Sequence, residues 1–449
     1  MSCDVGPLAA KRIVRKIMIR VIPLTFFLYI VAFLDRVNLG YAALQMNKEL
    51  ALSSGAFGFA AGIFFVGNVL FEVPSSVLLL RYGPRKWIAR IILTWGIVAT
   101  ATAFVQNAPE LYVLRFVLGI AEAGFIPAIV FYYSLWFRAE ERASVIGMFL
   151  LAMPITYLFG APVSTALMEY MHFGGIAGWR WMLFVEGLPA VIGGVMCYVF
   201  LTDSPEDAGW LSRDEKDWLA GEFERERARL PDVKHLGVFQ AIKNPTIMLM
   251  SAIYFMAQVG TLGIGYWLPQ IVRNFSATLS LTQIGLISGF PYIVTAIAMI
   301  VWSRLSDRLN ERKWFTVFPL IVGAIGMLMA GTARDPYLSM IAITVALACI
   351  FAFKPPFLSM LNQFVTRPAV AISNAVIVAI GNFGGFVGPY ITGLIAKATH
   401  SPKTGLFFFS GSFFGAAILT LFIGGLGGFI ILQRGTADAS KHVDAVKAD

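Results

Sequence analysis

Long apolar stretches follow one another along almost the whole chain, separated by short polar turns. Each stretch holds about 20 residues, enough for a helix to cross the hydrocarbon core of a bilayer. Helices are favoured because lipid offers no hydrogen-bond partner to free backbone groups. Twelve transmembrane helices are predicted, over residues 18–39, 55–80, 86–106, 109–136, 143–169, 180–201, 245–272, 282–304, 313–332, 336–362, 369–397 and 404–432.

The longest polar segment divides the twelve predicted helices into six and six. The predicted divisions are an N-terminal six-helix bundle at 1–201, a cytoplasmic central loop at 202–244, a C-terminal six-helix bundle at 245–434 and a cytoplasmic tail at 435–449. A weak repeat supports this division, because "LRYGPRKW" follows the second predicted helix and "SDRLNERKW" follows the eighth. Two bundles of this kind predict alternating access by rocking, with substrate bound between them near the midplane.

Composition agrees with an all-α integral membrane protein, since 58% of the 449 residues are hydrophobic and 14% are charged. The net charge of +9 resides in short clusters between apolar stretches instead of one polar face, so nucleic acid is not predicted as a partner. The basic clusters concentrate on the side that holds the N-terminus, with five Lys and Arg residues before the first apolar stretch. The positive-inside rule therefore predicts a protein of the cytoplasmic (inner) membrane with both termini cytoplasmic.

The sequence contains no arrangement typical of an enzyme. Its three cysteines show no disulfide or metal-ligand spacing, and no nucleophile–base pair stands out. No enzyme activity, metal or organic cofactor is predicted.

Asp35, Arg36, Arg115 and Glu122 are four of the charged residues that lie inside predicted spans. Each costs roughly 2.5–3.5 kcal/mol at a bilayer centre, so such residues are by default a hypothesis about function. Arg115 and Glu122 are seven positions apart and share one helix face, whereas adjacent Asp35 and Arg36 diverge by about 100°. The arginines suit a substrate carboxylate. Glu122, which has no charged neighbour in sequence, is the preferred proton carrier, with Asp35 as its partner. The alternative is that these charges only lock two helices together.

The second half of the chain has polar residues in its predicted spans as well. Lys354 is either a further anion contact, which would favour a dicarboxylate or an aromatic acid with a second acidic group, or a side chain that reaches to the interface. Gln258 and Asn382 are candidates for substrate binding or for hydrogen bonds between helices. Glu72 and Glu186 lie near the ends of their spans and are expected to be structural.

Five segments carry a family resemblance: "LDRVNLGYAALQMNKEL", "FEVPSSVLLLRYGPRKW", "RFVLGIAEAGFIPAIVFYYSLWF", "GWRWMLFVEGLPAV" and "SNAVIVAIGNFGGFVGP". With the two loop sequences they resemble the major facilitator superfamily, in particular its anion:cation symporter branch, whose members carry sugar acids, tartrate, phthalate and similar anions. The resemblance implies that Arg36 and Arg115 contact the substrate carboxylate, that Asp35 and Glu122 carry protons, and that Asn382 matches an asparagine of the eleventh helix.

The chain departs from the family pattern at three positions. Leu80 stands where the loop motif has aspartate, Lys354 where an uncharged residue is usual, and Phe33 where sugar-acid carriers often have tyrosine. The first departure is itself similar to the anion:cation symporter branch. The last weakens the case for a polyhydroxy acid.

The predicted function is proton-coupled uptake of a small organic anion by a monomer in the lipid bilayer. One alternative is a proton-antiport exporter of metabolites or drugs, although the fifth predicted helix holds only a fragment, Gly160-Ala161-Pro162, of the glycine-rich pattern that such antiporters resemble. Another is a non-transporting anion receptor, which would be expected to carry a sizeable soluble domain.

Overall fold

The computed structural model describes residues 7–229, 238–276, 278–364 and 367–423. These ranges are helical apart from short connections, and they contain no strand. The predicted tail at 435–449, residues 230–237 of the predicted central loop and residues 424–432 of the last predicted span lie outside the described residues.

The α-helices are, in chain order, α1 (Pro7–Glu49), α2 (Ser54–Tyr82), α3 (Pro84–Ala101), α4 (Ala108–Glu122), α5 (Phe125–Trp136), α6 (Ala139–Leu150), α7 (Ala152–Tyr170), α8 (Gly178–Phe200), α9 (Arg213–Arg229), α10 (Val238–Lys243), α11 (Pro245–Arg273), α12 (Leu281–Gly289), α13 (Pro291–Leu309), α14 (Lys313–Thr332), α15 (Pro336–Ala352), α16 (Lys354–Phe364), α17 (Arg367–Asn382), α18 (Gly384–Thr399) and α19 (Gly405–Leu421). Polar side chains cap the N-termini of several helices. Asn107 accepts from the Glu110 N–H, and Asp335 accepts from the Leu338 N–H.

Twelve helical segments of the described chain are long and apolar enough to cross a membrane, and this number confirms the predicted fold class. The first segment differs in extent, because α1 runs from Pro7 to Glu49 where the apolar pattern predicts a span of 18–39. The apolar pattern reports only the part that matches hydrocarbon, whereas backbone hydrogen bonding continues into the charged flanks.

Five of these twelve segments are built from two helices with a break between them. The breaks fall at Ala123–Gly124, Leu151, Phe290, Phe353 and Phe383. Proline follows four of the breaks within three residues, at Pro127, Pro154, Pro291 and Pro355-Pro356, where a missing N–H interrupts the helical ladder. Apolar periodicity does not reveal such breaks, since the hydrophobic pattern continues through them.

Contacts divide the chain into two compact units. The first unit comprises Met1–Val233, Gly263–Ala296 and Phe386–Gly405. In it α3 packs on α8, α2 on α4, and α1 on both α7 and α8. Helices α3 and α8 approach closely through glycine: a Cβ on Gly96 would lie 2.6 Å from the backbone nitrogen of Val191. Small residues at such contacts are the usual means of close helix packing in membranes.

The second unit comprises Lys234–Leu262, Ile297–Gly385 and Leu406–Asp449. Its described helices include α14, which packs against α15, and α19, whose Ser410 donates to the Ala324 carbonyl of α14 at 2.7 Å. Ser412 likewise donates to the Met256 carbonyl of α11 at 2.6 Å. The division into bundles at 1–201 and 245–434 stays a prediction.

Within the first unit, α9 is fastened by charge. Three ion pairs join it to other helices or their caps: Lys16–Glu215 at 2.7 Å, Arg138–Glu222 at 3.0 Å and Arg142–Glu226 at 3.3 Å. Partial burial disfavours the ionised form of Glu222, but hydrogen bonds from Arg138 and Arg225 outweigh this and hold the pKa of Glu222 below its usual range. Part of the predicted central loop is thus a helix bound to its own unit, and the polar sequence of residues 214–230 itself predicts a helix there.

Candidate functional site

The adjacent charges of α1 engage different helices. Asp35 is 3% exposed, and its Oδ2 accepts from the indole N–H of Trp95 on α3 at 2.6 Å. Its Oδ1 accepts from the Asn38 amide at 3.4 Å. Arg36 instead forms an ion pair with Glu122 of α4. The divergence expected of adjacent helical residues therefore separates the two side chains, and Asp35 has no guanidinium among the partners that the described structure gives it.

The Arg36–Glu122 ion pair lies inside the first unit and is shielded from solvent. The Glu122 side chain is 1% exposed and that of Arg36 is 16% exposed. A single guanidinium nitrogen, Nη2, bonds one carboxylate oxygen, Oε1. The second oxygen of Glu122 and the Nε of Arg36 are buried without a hydrogen bond to any described residue. Each member of the pair thus retains hydrogen-bonding capacity for another group.

Arg115 lies on the same helix as Glu122 and is 2% exposed. Its Nε donates to the Ala60 carbonyl at 3.4 Å, and its Nη2 donates to the Tyr266 hydroxyl at 3.3 Å. Both contacts are to neutral groups, and no carboxylate lies within ion-pair distance of Arg115 among the described residues. Arg115 is thus a buried cation held in place without being neutralised.

One aromatic ring joins the two arginines. The guanidinium carbon of Arg36 lies 5.4 Å from the centre of the Phe64 ring, and that of Arg115 lies 5.0 Å from it. Arg36 also lies 5.2 Å from the ring of Phe33. Contacts of cations with ring faces are favourable when water is excluded. The structure therefore brings the two predicted anion ligands to one aromatic surface, with Glu122 paired to one of them.

The chain of α4 breaks directly after Glu122. Gly124 adopts a left-handed conformation with φ of 82°, and α5 starts at the next residue. A side chain on Gly124 would be strained, and its Cβ would also meet Ser75 of α2. Because Glu122 is the last residue of α4, its carboxylate lies at an interrupted helix instead of in the middle of a continuous one.

The remaining predicted site residues belong to the second unit. Gln258 of α11 donates from Nε2 to Asn382 Oδ1 at 3.5 Å, and the Gln258 Oε1 is buried without a hydrogen-bond partner in the described chain. Lys354 begins α16, and its Nζ lies 4.7 Å from the centre of the Phe351 ring. Asn382 ends α17. Lys354 and Asn382 therefore lie directly beside helix breaks, as Glu122 does.

Three residues outside the predicted site also contribute buried polar contacts. The sequence analysis does not single out Trp95 or Tyr266, and it expects Glu186 to be structural. Trp95 and Tyr266 bond Asp35 and Arg115 respectively. Glu186 of α8 is 3% exposed and accepts from Ser164 at 2.6 Å. A carboxylate within an apolar span was a visible signal for Glu186, but an indole or a phenol in a membrane helix gives no such signal.

Three comparisons with known proteins place this geometry in context. The model of the Major Facilitator Superfamily matches residues 25–282 and 276–443. A protein of Agrobacterium vitis named as a putative tartrate transporter is 44% identical over 412 residues, which cover 92% of this chain and 91% of the relative. A quinolone resistance transporter of Acinetobacter baumannii is 34% identical over 400 residues, which cover 89% of this chain and 92% of that protein.

A solved structure shows the same fold. The bacterial homologue of the human lysosomal transporter Spinster superposes with a TM-score of 0.70 at 14% sequence identity, covering 94% of this chain and 97% of that one.

Proposed function

Since the chain belongs to the major facilitator superfamily and is a multi-pass transporter of that type, we propose that it performs proton-coupled symport of a small organic anion. The observation that supports the proposal is the Arg36–Glu122 ion pair, in which Glu122 is buried and Arg36 is partly exposed. A substrate carboxylate and the Glu122 carboxylate compete for the guanidinium of Arg36. Protonation of Glu122 therefore frees Arg36 to bind the substrate.

In the proposed cycle, ionised Glu122 holds Arg36. A proton taken from the acidic side neutralises Glu122 and releases Arg36 to the substrate carboxylate, which the planar guanidinium binds through two oxygens. Arg115, already oriented by Ala60 and Tyr266, is the second ligand. When the cavity opens to the cytoplasm, loss of the proton restores the ion pair and expels the anion. Asp35 is assigned a second proton-accepting role.

We propose a dicarboxylate as the substrate class. A relative 44% identical to this chain is named for tartrate, which has two carboxyl and two hydroxyl groups. Arg36 and Arg115 would bind a carboxylate. Lys354, Gln258 and Asn382 keep the substrate-binding roles that the sequence predicts for them. The buried Gln258 Oε1, which has no described hydrogen-bond partner, is an acceptor suited to a hydroxyl.

We further propose that the protein acts as a monomer in the cytoplasmic membrane, with both termini on the cytoplasmic side. No resident cofactor is required, since charge neutralisation by protons and conformational exchange account for the coupling.

The proposal is tested by uptake into proteoliposomes with an acidic exterior. Labelled tartrate, succinate, phthalate and acetate are compared with and without a proton gradient. We expect gradient-driven accumulation of a dicarboxylate that a protonophore abolishes. Accumulation of none of the acids would refute symport.

Glu122→Gln separates coupling from binding. We expect this variant to lose accumulation driven by the proton gradient but to retain exchange of internal for external substrate, because glutamine resembles the protonated acid. Asp217→Asn, at an exposed position on α9, is the matched control and should behave as the unmodified protein. Loss of exchange as well as accumulation would instead indicate a binding or structural role for Glu122.

A proton-antiport exporter is the second candidate, because a quinolone resistance transporter is 34% identical to this chain. Everted vesicles with an acidic interior distinguish the two. An exporter concentrates a quinolone inside them at the expense of the proton gradient, whereas the proposed symporter does not. A receptor without transport would show binding of the anion but neither accumulation nor exchange.

A further inference from the structure

A second group of buried acids lies apart from the Arg36–Glu122 pair. Asp35 of α1 and Glu186 of α8 are each 3% exposed. One side chain lies between them: the Asn38 amide donates to Asp35 at 3.4 Å and also interacts with Glu186. The two carboxyl groups repel each other electrostatically when both are ionised. We propose that Asp35 and Glu186 share one proton, and that Glu186 is thereby a further proton-binding residue of the symport proposed above.

The hydrogen bonds around the two acids are unequal. Asp35 accepts from Trp95, whose indole is only a donor, and from Asn38. Glu186 accepts one hydrogen bond, from Ser164 at 2.6 Å, and its Oε2 is buried without a hydrogen-bond partner among the described residues. An ionised carboxylate that leaves a buried oxygen unbonded is costly. A proton on one acid of the pair removes one of the two charges.

No cation neutralises the pair directly. Among the described residues, no Lys or Arg nitrogen lies within ion-pair distance of either carboxylate. The titratable groups that act on the two acids come from two helices: Tyr41 on α1, and Arg115 and Glu122 on α4. The α3 and α7 contacts, Trp95 and Ser164, are neutral. Arg115 attracts negative charge on Asp35 only at longer range. Because Arg115 is the one cation acting on the acids among the described residues, a total charge of −1 on Asp35 and Glu186 is favoured over −2.

Helix α1 connects the Asp35–Glu186 pair to Arg36, the proposed substrate ligand. Asp35 is adjacent to Arg36 in sequence, and Glu186 reaches Asp35 through Asn38, one helical turn further along α1. Any rotation of α1 that moves Arg36 between Glu122 and a substrate also moves Asp35 relative to α8. Binding or losing the shared proton is therefore linked mechanically to occupancy of Arg36. Coupled sites of this kind titrate as a pair, so the proton belongs to both acids.

The first test does not depend on transport. Infrared spectra of the purified protein in nanodiscs are recorded across a pH series, and the carboxylic acid C=O band of the unmodified protein is compared with those of Glu186→Gln and Asp35→Asn. A shared proton predicts that both variants lose or displace the same band. An unaltered spectrum in Glu186→Gln would overturn the proposal, and so would a band that is lost in Glu186→Gln but identical in Asp35→Asn.

Controls keep this test informative. Glu72→Gln changes another glutamate within a span and should leave the band unchanged. Ser164→Ala retains the carboxyl group but removes its hydrogen bond at 2.6 Å, so it should move the band to higher frequency even if Glu186→Gln fails to fold. No band shift in Ser164→Ala would count against a proton on the pair.

The second test measures coupling. The substrate reversal potential in proteoliposomes gives the number of protons carried per anion. We expect Glu186→Gln to carry one proton fewer than the unmodified protein, while Glu72→Gln carries the same number. An unchanged count in Glu186→Gln would refute its role in coupling. If the unmodified protein shows no proton coupling, the symport proposal fails, but the infrared result still decides whether the acids share a proton.

Discussion

At the scale of single residues, the partners of each charge matter more than the charges themselves. The angular divergence of Asp35 and Arg36 follows from helix geometry alone, and the structure agrees: one bonds α3 and the other α4. Sequence does not supply the partner, because pairing across helices depends on their register and rotation. The sequence favours Glu122 as proton carrier because it has no charged neighbour along the chain, yet in space it is the acid paired with Arg36.

Arg115→Lys is expected to raise the substrate dissociation constant at least tenfold, or about 1.4 kcal/mol. A lysine cannot bond Ala60 and Tyr266 while also presenting a planar fork to a carboxylate. Binding is measured by calorimetry on the purified protein. Arg12→Lys, at an exposed position of α1, is the control and should bind normally. Equal affinity in both variants would remove Arg115 from the site.

At the scale of elements, the helix breaks are the main feature that the apolar pattern does not show. Number and placement of the spans follow from hydropathy, because the bilayer imposes a minimum length on every crossing. The breaks depend on tertiary contacts that compensate for lost backbone hydrogen bonds. Glu122, Lys354 and Asn382 all stand at such breaks. Three of the predicted site residues thus lie next to interruptions of the helical backbone.

Gly124→Ala should destabilise the protein by about 1–2 kcal/mol, the cost of a Cβ in left-handed backbone. The added methyl group would also meet Ser75. Thermal unfolding in detergent, followed by circular dichroism, measures the change. Gly147→Ala is the matched control, because Gly147 lies within α6 with nothing within 4 Å of an added Cβ. A melting temperature in Gly124→Ala equal to that of the control would contradict the assigned strain.

Acid should loosen α9. Because the pKa of Glu222 is lowered in the folded state, its contribution to the α9 contact is complete above the usual glutamate pKa of about 4.3 and is lost as pH falls through the lower folded value. Spin labels on Arg12→Cys and Asp217→Cys should report a narrow distance distribution at neutral pH and a broad one below about pH 4.

Arg138→Gln should broaden this distribution already at neutral pH, because it removes the cation that pairs with Glu222 at 3.0 Å. A distribution that stays narrow both in acid and in the variant would show that apolar packing, not charge, holds α9.

At the scale of the whole molecule, orientation in the membrane follows from loop charges and stays a prediction. In a cysteine-free background, Gln106→Cys and Asp217→Cys sample opposite sides of the predicted topology, and both positions are exposed. A membrane-impermeant maleimide should label intact cells only at position 106, and should label position 217 after permeabilisation. The reverse pattern would invert the topology.

The indole–carboxylate bond between Trp95 and Asp35 has an optical consequence. A carboxylate that gains or loses a charge 2.6 Å from an indole nitrogen changes the electric field across that chromophore. The difference between ultraviolet absorption spectra of the protein and of its Trp95→Phe variant therefore isolates a signal from one buried ring. The protein contains its own spectroscopic reporter of proton binding, with no label required.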